Sequence, residues 1–245
     1  MISLQEYKNI CKNKDGLKTF IENEYCIIDL GSQDEILIEV IYKLGMIANK
    51  MIGDYCYIYN DHVRYIELIY YLIQKDSFVL AIDGMCGSGK STLANLLHKI
   101  FDVNVFHMDD FYLPLEKRTK ERLLEPGGNV DYERFIETVL KPISLKQKVY
   151  YQPFLCSCME LSHDIEIIDY KQKVIIEGSY ALRPELIPFY TDIFVLKITP
   201  ELQKQRLLKR NPFTIENFIT TWIPLENKYF DFYNIFENYN VIYID

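Results

Sequence analysis

The sequence has too little positive charge for a protein whose main partner is a nucleic acid. Its 245 residues contain 27 lysines and arginines against 35 aspartates and glutamates, which gives a formal net charge of −8 at pH 7. Binding to a nucleic acid backbone displaces counterions with clustered positive charge, and no broad excess of it exists here. The net charge does not exclude small anions as ligands, because a few local cations can attract them whatever the net charge.

The chain also lacks a hydrophobic run that could cross a membrane. Its longest apolar stretch, residues 36–51, is interrupted by Glu39, Lys43 and Asn49, whereas a spanning helix needs about 20 mostly apolar residues. The sequence does not open with the basic segment and long apolar segment of a secretory signal. We therefore expect a soluble, cytoplasmic protein that has no membrane partner.

Cysteine and glycine are both scarce. Of the six cysteines, Cys156 and Cys158 are separated by one residue, which is not the spacing of a zinc pair, and no second pair follows. We expect reduced thiols and no structural metal. Only ten glycines occur in the chain, yet three of them fall within residues 84–89.

What the sequence does contain is a phosphate-binding loop. Residues 84–91 read Gly-Met-Cys-Gly-Ser-Gly-Lys-Ser, between an apolar run at 78–82 that predicts a buried strand and apolar residues at helical spacing up to Ile100. Backbone N–H groups of such a loop surround phosphate oxygens, and the helix N-terminus adds its dipole. Lys90 can reach the β- and γ-phosphates, and the Ser91 hydroxyl can ligate Mg²⁺. The pattern predicts a site for ATP and Mg²⁺ formed by Gly84, Gly87, Ser88, Gly89, Lys90, Ser91 and Thr92.

The first 75 residues are organised differently from the rest. Apolar residues at helical spacing predict helices within 36–51 and 63–73, with a strand between them at 55–59 and Asn60-Asp61 as a cap for the second helix. We read residues 1–75 as a mainly helical appendage, whose tyrosine-rich surface could contact a partner or form a homo-oligomer.

From residue 76 onward, apolar strands alternate with helical stretches. The predicted strands are 78–82, 103–107, 174–177, 193–198 and 241–244. Such alternation predicts right-handed crossovers and a parallel sheet flanked by helices. Together with the phosphate-binding loop, it predicts an α/β domain over residues 76–245 with the three-layer P-loop NTPase fold.

Carboxylates follow two of these strands. Asp109 and Asp110 come directly after the second strand, and adjacent residues of an extended segment point to opposite sides. One of the two is therefore expected to face the phosphate-binding loop, where it could take a proton from an attacking hydroxyl. Glu177 ends the third strand, where a carboxylate can bind Mg²⁺ directly or through water.

Two arginine pairs have the four-residue spacing of a shared helical face. Arg118 and Arg122 could bind an anionic group of the acceptor, although solvated surface charge is the alternative. Arg206 and Arg210 lie in a predicted helix, 201–210. Planar arginine donors suit the charge that develops on a transferred phosphoryl group.

In order and spacing, these motifs resemble the uridine kinase and phosphoribulokinase group of P-loop kinases, and more narrowly bacterial uridine kinase-like proteins. The resemblance extends from about residue 77 to the C-terminus and is carried by residues 84–91, 108–114, 125–135, 174–180 and 222–230.

The resemblance implies roles for particular residues. Asp109 would be the catalytic base, and Tyr112 would line the acceptor pocket. Asp131 would hold sugar hydroxyls, although it could also cap a helix over residues 132–140. Arg206 and Arg210 would belong to a mobile lid that contacts the triphosphate.

One segment departs from the family pattern. Residues 150–157 stand where uridine kinases carry a Tyr, a Phe and a His that recognise the pyrimidine, and no His occurs in this run. Tyr151 and Phe154 could stack on a flat ring or could only pack.

The sequence thus predicts a kinase that transfers the γ-phosphoryl group of ATP to a hydroxyl of a small metabolite. A nucleoside such as uridine or cytidine is the leading acceptor. A sugar, pentose phosphate, pantothenate or vitamin riboside is the alternative among enzymes. A nucleotide-dependent binding module that has no acceptor is the alternative from another class of protein.

Overall fold

The computed structural model of the chain describes residues 25–29, 35–49, 51–52 and 55–244. The chain divides into two units, residues 1–76 and residues 77–245.

The first unit contains the strands β1 (Tyr25–Asp29), β2 (Met51–Ile52) and β3 (Tyr55–Tyr59) and the helices α1 (Glu35–Ala48), α2 (Asn60–Val63) and α3 (Ile66–Ile73). The strands form an antiparallel sheet of order β1-β3-β2. α1 packs against β3, and the Cys56 thiol donates a hydrogen bond to the Ile41 carbonyl.

This unit contains one strand that the sequence did not predict, and one expectation for it needs correction. The sequence pattern does not predict β1, a short apolar run that becomes a strand only by pairing with β3 more than twenty residues later. Asn60-Asp61 does not cap the second helix from outside but lies within α2. The helix predicted within 63–73 is divided into α2 and α3, whose N-cap residues are Tyr59 and Tyr65, and neither side chain makes a capping hydrogen bond.

The second unit is built on a five-stranded sheet, whose strands are β4 (Phe78–Gly84), β5 (Asn104–His107), β10 (Lys173–Glu177), β11 (Asp192–Ile198) and β12 (Asn240–Ile244). Their order in the sheet is β12-β11-β4-β10-β5, and every neighbouring pair is parallel. All five predicted strands are confirmed, each boundary within two residues. Two antiparallel pairs stand apart from this sheet: β6 (Val149–Tyr151) with β9 (Glu166–Ile168), and β7 (Phe154–Leu155) with β8 (Glu160–Leu161).

α-Helices lie in three of the four chain connections between the strands of the five-stranded sheet. They are α4 (Lys90–Ile100), α5 (Lys120–Leu124), α6 (residues 132–144), α7 (Pro200–Arg210), α8 (residues 215–232) and α9 (Ile235–Asn238). α6 and α8 each contain a π-helical stretch, Ile136–Leu140 and Phe218–Trp222 respectively, and short 3₁₀ turns occur at Met108–Phe111, Leu115–Lys117 and Ile187–Phe189. Within the described residues, no helix combines the length and the apolar character that crossing a bilayer requires.

The strand order determines where a ligand can bind. β4 lies between β10 and β11, and β5 lies beside β10. Because the strands are parallel, the loop after β4, the acidic turn after β5 and the end of β10 meet at the same edge of the sheet. Ligands of open parallel sheets bind at this carboxyl edge.

Candidate active site

The phosphate-binding loop joins β4 to α4 through three glycines with positive φ. The φ angle is +144° at Gly84, +76° at Gly87 and +99° at Gly89, a region that other residues rarely adopt. Gly84 also has no room for a side chain, because a Cβ there would lie 2.2 Å from the Leu196 carbonyl oxygen in β11. The Leu93 amide donates a hydrogen bond to the Gly89 carbonyl, which completes the first turn of α4. The amides before it have no acceptor within the helix and fit an anion.

A buried carboxylate supports the end of β4 next to this loop. Asp83 is fully buried and accepts hydrogen bonds from the amides of Gly84 (2.6 Å) and Leu182 (3.0 Å) and from the Tyr229 hydroxyl (2.7 Å). Burial raises the pKa of Asp83 to about 6, although these bonds and the charge of Lys90 act in the opposite direction. Sequence reasoning missed this residue, for which the available signal was a charge inside an otherwise apolar strand.

Lys90 folds back over the loop. Its Nζ donates to the carbonyls of Gly84 (2.7 Å) and Met85 (3.2 Å). It also donates to the Ser179 hydroxyl at 3.1 Å. The ammonium group is therefore held at the loop by weak neutral acceptors, which phosphate oxygens could replace.

Glu226, on α8, is a second residue that sequence reasoning missed. Its side chain is buried and accepts hydrogen bonds from the Cys86 amide (2.8 Å) and the Ser179 hydroxyl (2.5 Å). It connects α8 to a loop 140 residues earlier. Helical periodicity within 222–230 gives no sign that this side chain turns toward the loop.

The end of β10 brings a carboxylate next to Ser91. The Ser91 hydroxyl donates to Glu177 Oε1 at 3.0 Å, and His107 Nδ1 lies 2.5 Å from the same oxygen. The hydrogen bond to Glu177 raises the pKa of His107. Hydroxyl and carboxylate oxygens suit Mg²⁺, which is usually bound by one or two protein ligands together with phosphates and water. The described residues contain no group of three or more His, Cys, Asp or Glu side chains that could hold a metal ion.

The two adjacent aspartates after β5 have different surroundings. Both lie in the 3₁₀ turn Met108–Phe111. Asp110 accepts a hydrogen bond from the Tyr151 hydroxyl at 2.6 Å, whereas Asp109 faces a cavity. Although water can reach Asp109 from the cavity, the surrounding protein partly desolvates its carboxylate and raises its pKa. Lys90 opposes this increase, and the neighbouring carboxylates add to it.

This cavity, of about 650 Å³, is lined by residues of the phosphate-binding loop together with Asp109, Glu177 and Ser179. The predicted site residues on its wall are Gly87, Gly89, Lys90, Ser91, Thr92, Asp109, Tyr112, Arg118, Glu177 and Arg210. Glu226 lies on the wall as well. An aromatic wall formed by Tyr112, Tyr180, Phe218 and Trp222 bounds another part of the same space.

The remaining predicted loop and lid residues lie next to the cavity wall. Arg206 donates to the carbonyls of Gly87 (3.3 Å) and Ser88 (3.4 Å). The Ser88 hydroxyl is buried and has no hydrogen-bond partner among the described residues. Gly84 acts through its close approach to β11. On α7, Arg206 and Arg210 are thus both near the loop.

The expectation that Arg118 and Arg122 share a helical face is wrong. Arg118 follows a 3₁₀ turn, whereas Arg122 lies in α5, and Thr119 between them caps α5. The Arg122 guanidinium donates to two backbone carbonyls and to both carboxylate oxygens of Glu133. Its donors are satisfied within the protein and do not face the cavity.

Three other residues predicted to bind the acceptor lie in the protein interior. Asp131 is fully buried; it caps α6 by accepting from the Arg134 amide at 3.3 Å, and it pairs with Lys117 at 3.0 Å. Capping is thus the role that the structure displays for Asp131. Tyr151 and Phe154 are 7% and 3% exposed and are absent from the cavity wall. Of the two roles considered for these rings, packing is the one observed.

Comparisons with known proteins agree with this architecture. No protein-family model matches the chain. Over 166 residues it is 23% identical to the dephospho-CoA kinase of Synechocystis sp., across 61% of this chain and 82% of that protein. Among solved structures, it is similar to a possible uridine kinase from Bacillus stearothermophilus, with a TM-score of 0.55 and 23% identity over 74% of this chain and 97% of the other. It also matches a D-glycerate 3-kinase from Cryptococcus neoformans, with a TM-score of 0.46 and 12% identity over 79% of this chain and 88% of the other.

The similarity to the Bacillus structure, together with the strand order, confirms the P-loop NTPase fold predicted from the sequence. The chain has the fold of the P-loop kinases.

Proposed function

We propose that this protein is an ATP-dependent kinase that transfers the γ-phosphoryl group to a hydroxyl of a small metabolite. One observation carries the proposal: a single cavity brings together a phosphate-binding loop, an oxygen pair suited to Mg²⁺, and a partly desolvated carboxylate, Asp109. A protein that only binds nucleotide needs no carboxylate facing the loop. The kinases that the chain resembles in sequence and in fold are consistent with this assignment.

The roles of the residues follow from their positions. Loop amides and Lys90 would orient the triphosphate, and Lys90 would exchange its carbonyl acceptors for phosphate oxygens. Ser91 and Glu177 would hold Mg²⁺, which when bound neutralises charge on the phosphates. Arg206 and Arg210 would approach the same phosphates from α7.

Asp109 would accept the proton of the attacking hydroxyl. A carboxylate with a raised pKa is the better base at neutral pH, because proton transfer to it is less unfavourable. Little covalent chemistry is required of the protein in phosphoryl transfer, so positioning and electrostatics supply most of the acceleration.

For the acceptor, we propose a compound with a flat or apolar part, of which a nucleoside is the leading class. The aromatic wall supports this, since Tyr112 and Trp222 have ring centroids 6.2 Å apart on the cavity surface. Tyr112 also places its hydroxyl 3.4 Å from Asp109 Oδ1. The aromatic residues available to the acceptor are therefore these, and not Tyr151 and Phe154.

The test is a screen of purified protein with ATP, Mg²⁺ and a mixture of metabolites, read by mass spectrometry for products that have gained one phosphate. Lys90→Met should lose product by at least about 100-fold, because the electrostatic groups of such sites contribute that much. Lys99→Met, an exposed position on the same helix, is the matched control and should retain activity. Binding of ATP without phosphorylation of any compound would contradict the proposal and favour a binding module.

A further inference from the structure

Arg118 is a partly buried arginine, and only one nitrogen of its guanidinium group donates a hydrogen bond within the described residues. Its Nε donates to the Leu113 carbonyl at 2.7 Å, which fixes the side chain at the cavity wall. In the part of the chain that the structure describes, its two terminal nitrogens have no hydrogen-bond or ion-pair partner. Arg122 and Arg183, by contrast, each make several bonds to carboxylates and carbonyls.

The other cations on the wall lie at the loop end of the cavity. Lys90 contacts loop carbonyls, and Arg210 lies one turn beyond Arg206, which contacts the loop as well. Arg118 instead comes from the segment after Tyr112, the residue whose hydroxyl approaches Asp109. Among the described residues of the cavity wall, Arg118 is therefore the cation best placed for the acceptor rather than for the triphosphate.

Arg118 and the proposed base, Asp109, both line this cavity. Burial raises the pKa of Cys156; Asp109 raises it further and Arg118 lowers it, so both charges act on one thiol of the cavity wall. In the described part of the chain, the carboxylates of the wall are Asp109, Glu177 and Glu226, and none of them forms an ion pair with Arg118. A free planar guanidinium fork in such a site matches the two oxygens of a carboxylate or phosphate.

We propose that the acceptor carries an anionic group, a carboxylate or a phosphate, which binds Arg118 while its hydroxyl faces Asp109 and its body lies against Tyr112 and Trp222. This inference rests on the proposed kinase function and makes it more specific. It turns the leading acceptor class from neutral nucleosides to hydroxyl compounds that bear a negative charge, whether nucleoside-derived or not. Arg118 is thus a specificity-determining residue.

Matched pairs of acceptors that differ only in the anionic group provide the first test. The pairs are uridine with uridine 3′-phosphate, panthenol with pantothenate, and glycerol with D-glycerate; the first tests phosphate and the others carboxylate. Within the pair that contains the better substrate, kcat/KM should be at least about 100-fold higher for the anionic member, because a site built for a polar group strongly rejects the analogue that lacks it. Equal or faster turnover of the neutral members would overturn the inference.

Substitution of the arginine provides the second test. Arg118→Gln should remove most of the preference for the anionic member while leaving the KM for ATP unchanged, and Arg118→Lys should restore part of it. Lys120→Gln removes a charge two residues away at an exposed position and should leave the preference intact. An unchanged preference in folded Arg118→Gln protein would also overturn the inference.

Binding can be measured without catalysis, because Trp222 is the only tryptophan of the chain and lies on the cavity wall. Anionic members of the pairs should change its fluorescence at lower concentration than neutral members, with and without ATP. Such binding without phosphorylation would refute the kinase proposal and keep the anion site. Phosphorylation of neutral compounds alone would support the kinase proposal and refute the anion site. No change of fluorescence with any anionic member would refute the anion site.

Discussion

Asp→Asn substitutions at Asp109 and, separately, at the adjacent Asp110 distinguish the proposed catalytic role of the first residue from the packing role of the second. Asp109 faces the cavity, whereas Asp110 accepts a hydrogen bond from Tyr151 at 2.6 Å. Asp109→Asn and Asp110→Asn each replace one carboxylate oxygen by an amide nitrogen and keep the shape of the side chain. The first should affect turnover and the second should affect stability.

For Asp109→Asn, we expect kcat to fall by about 10²- to 10⁴-fold, the usual contribution of a general base. This corresponds to about 3 to 5 kcal/mol of activation free energy. The free energy of unfolding should not fall. The folded protein raises the pKa of Asp109, so folding is opposed by the ionised form, and this penalty grows as the pH rises through that pKa. A neutral amide removes the penalty.

For Asp110→Asn, the reverse pattern is expected. The Tyr151 hydroxyl, in a largely buried position, exchanges a charged acceptor for a neutral amide oxygen, which costs about 1 kcal/mol of stability. Turnover should change little, because Asp110 does not line the cavity.

The assay is steady-state phosphorylation of the acceptor found in the metabolite screen, together with thermal unfolding of each variant. Because Asp109 must be ionised to act, kcat/KM of the wild type should rise with pH through its raised pKa, and Asp109→Asn should lose that limb. If Asp109→Asn retained near-normal kcat at normal stability, or kept the limb, the assignment of the base would be wrong.

Two further predictions concern the support of the loop. Gly84→Ala should destabilise the protein by about 3 kcal/mol or more, because its Cβ would overlap the Leu196 carbonyl and its φ is positive. Gly87→Ala is the control: its φ is +76° but there is space for a Cβ, so the loss of stability should be about 1 to 2 kcal/mol. Equal losses of unfolding free energy for the two variants in urea would refute the overlap. Tyr229→Phe removes a donor to Asp83, whose pKa is about 6 in the folded protein, so the loss of stability should be larger above that pH, where the carboxylate is ionised, than below it. Thermal unfolding at both pH values checks this, and an equal loss would contradict it.

The fold was predictable because its signals are local. Each strand of the five-stranded sheet is a short apolar run, and the phosphate-binding loop is a pattern of eight consecutive residues. The wrong expectation for Arg118 and Arg122 also came from a local signal. Thr119 begins a new helix between Arg118 and Arg122, and a four-residue spacing does not reveal such a break.

Residues that act through long-range contacts could not be found from the sequence. Asp83 is held by Tyr229, 146 residues away, and Glu226 binds an amide 140 residues away. In each case an isolated charge in an apolar or helical segment was the only signal. Only the assembled sheet and α8 give these charges their partners.

The two ends of the cavity are made from different kinds of structure, and this limits what a similar fold can say about function. The phosphate end consists of the loop and strand ends of a regular parallel sheet, which related folds share. The acceptor end consists of a 3₁₀ turn that presents Tyr112, a non-helical residue, Arg118, and the π-helical stretch of α8 that presents Phe218 and Trp222. Such irregular segments change without disturbing the sheet. Proteins of one fold can therefore differ in the compounds that they bind, and under the proposal made here the charge of the acceptor depends on side chains such as Arg118 rather than on the strand order.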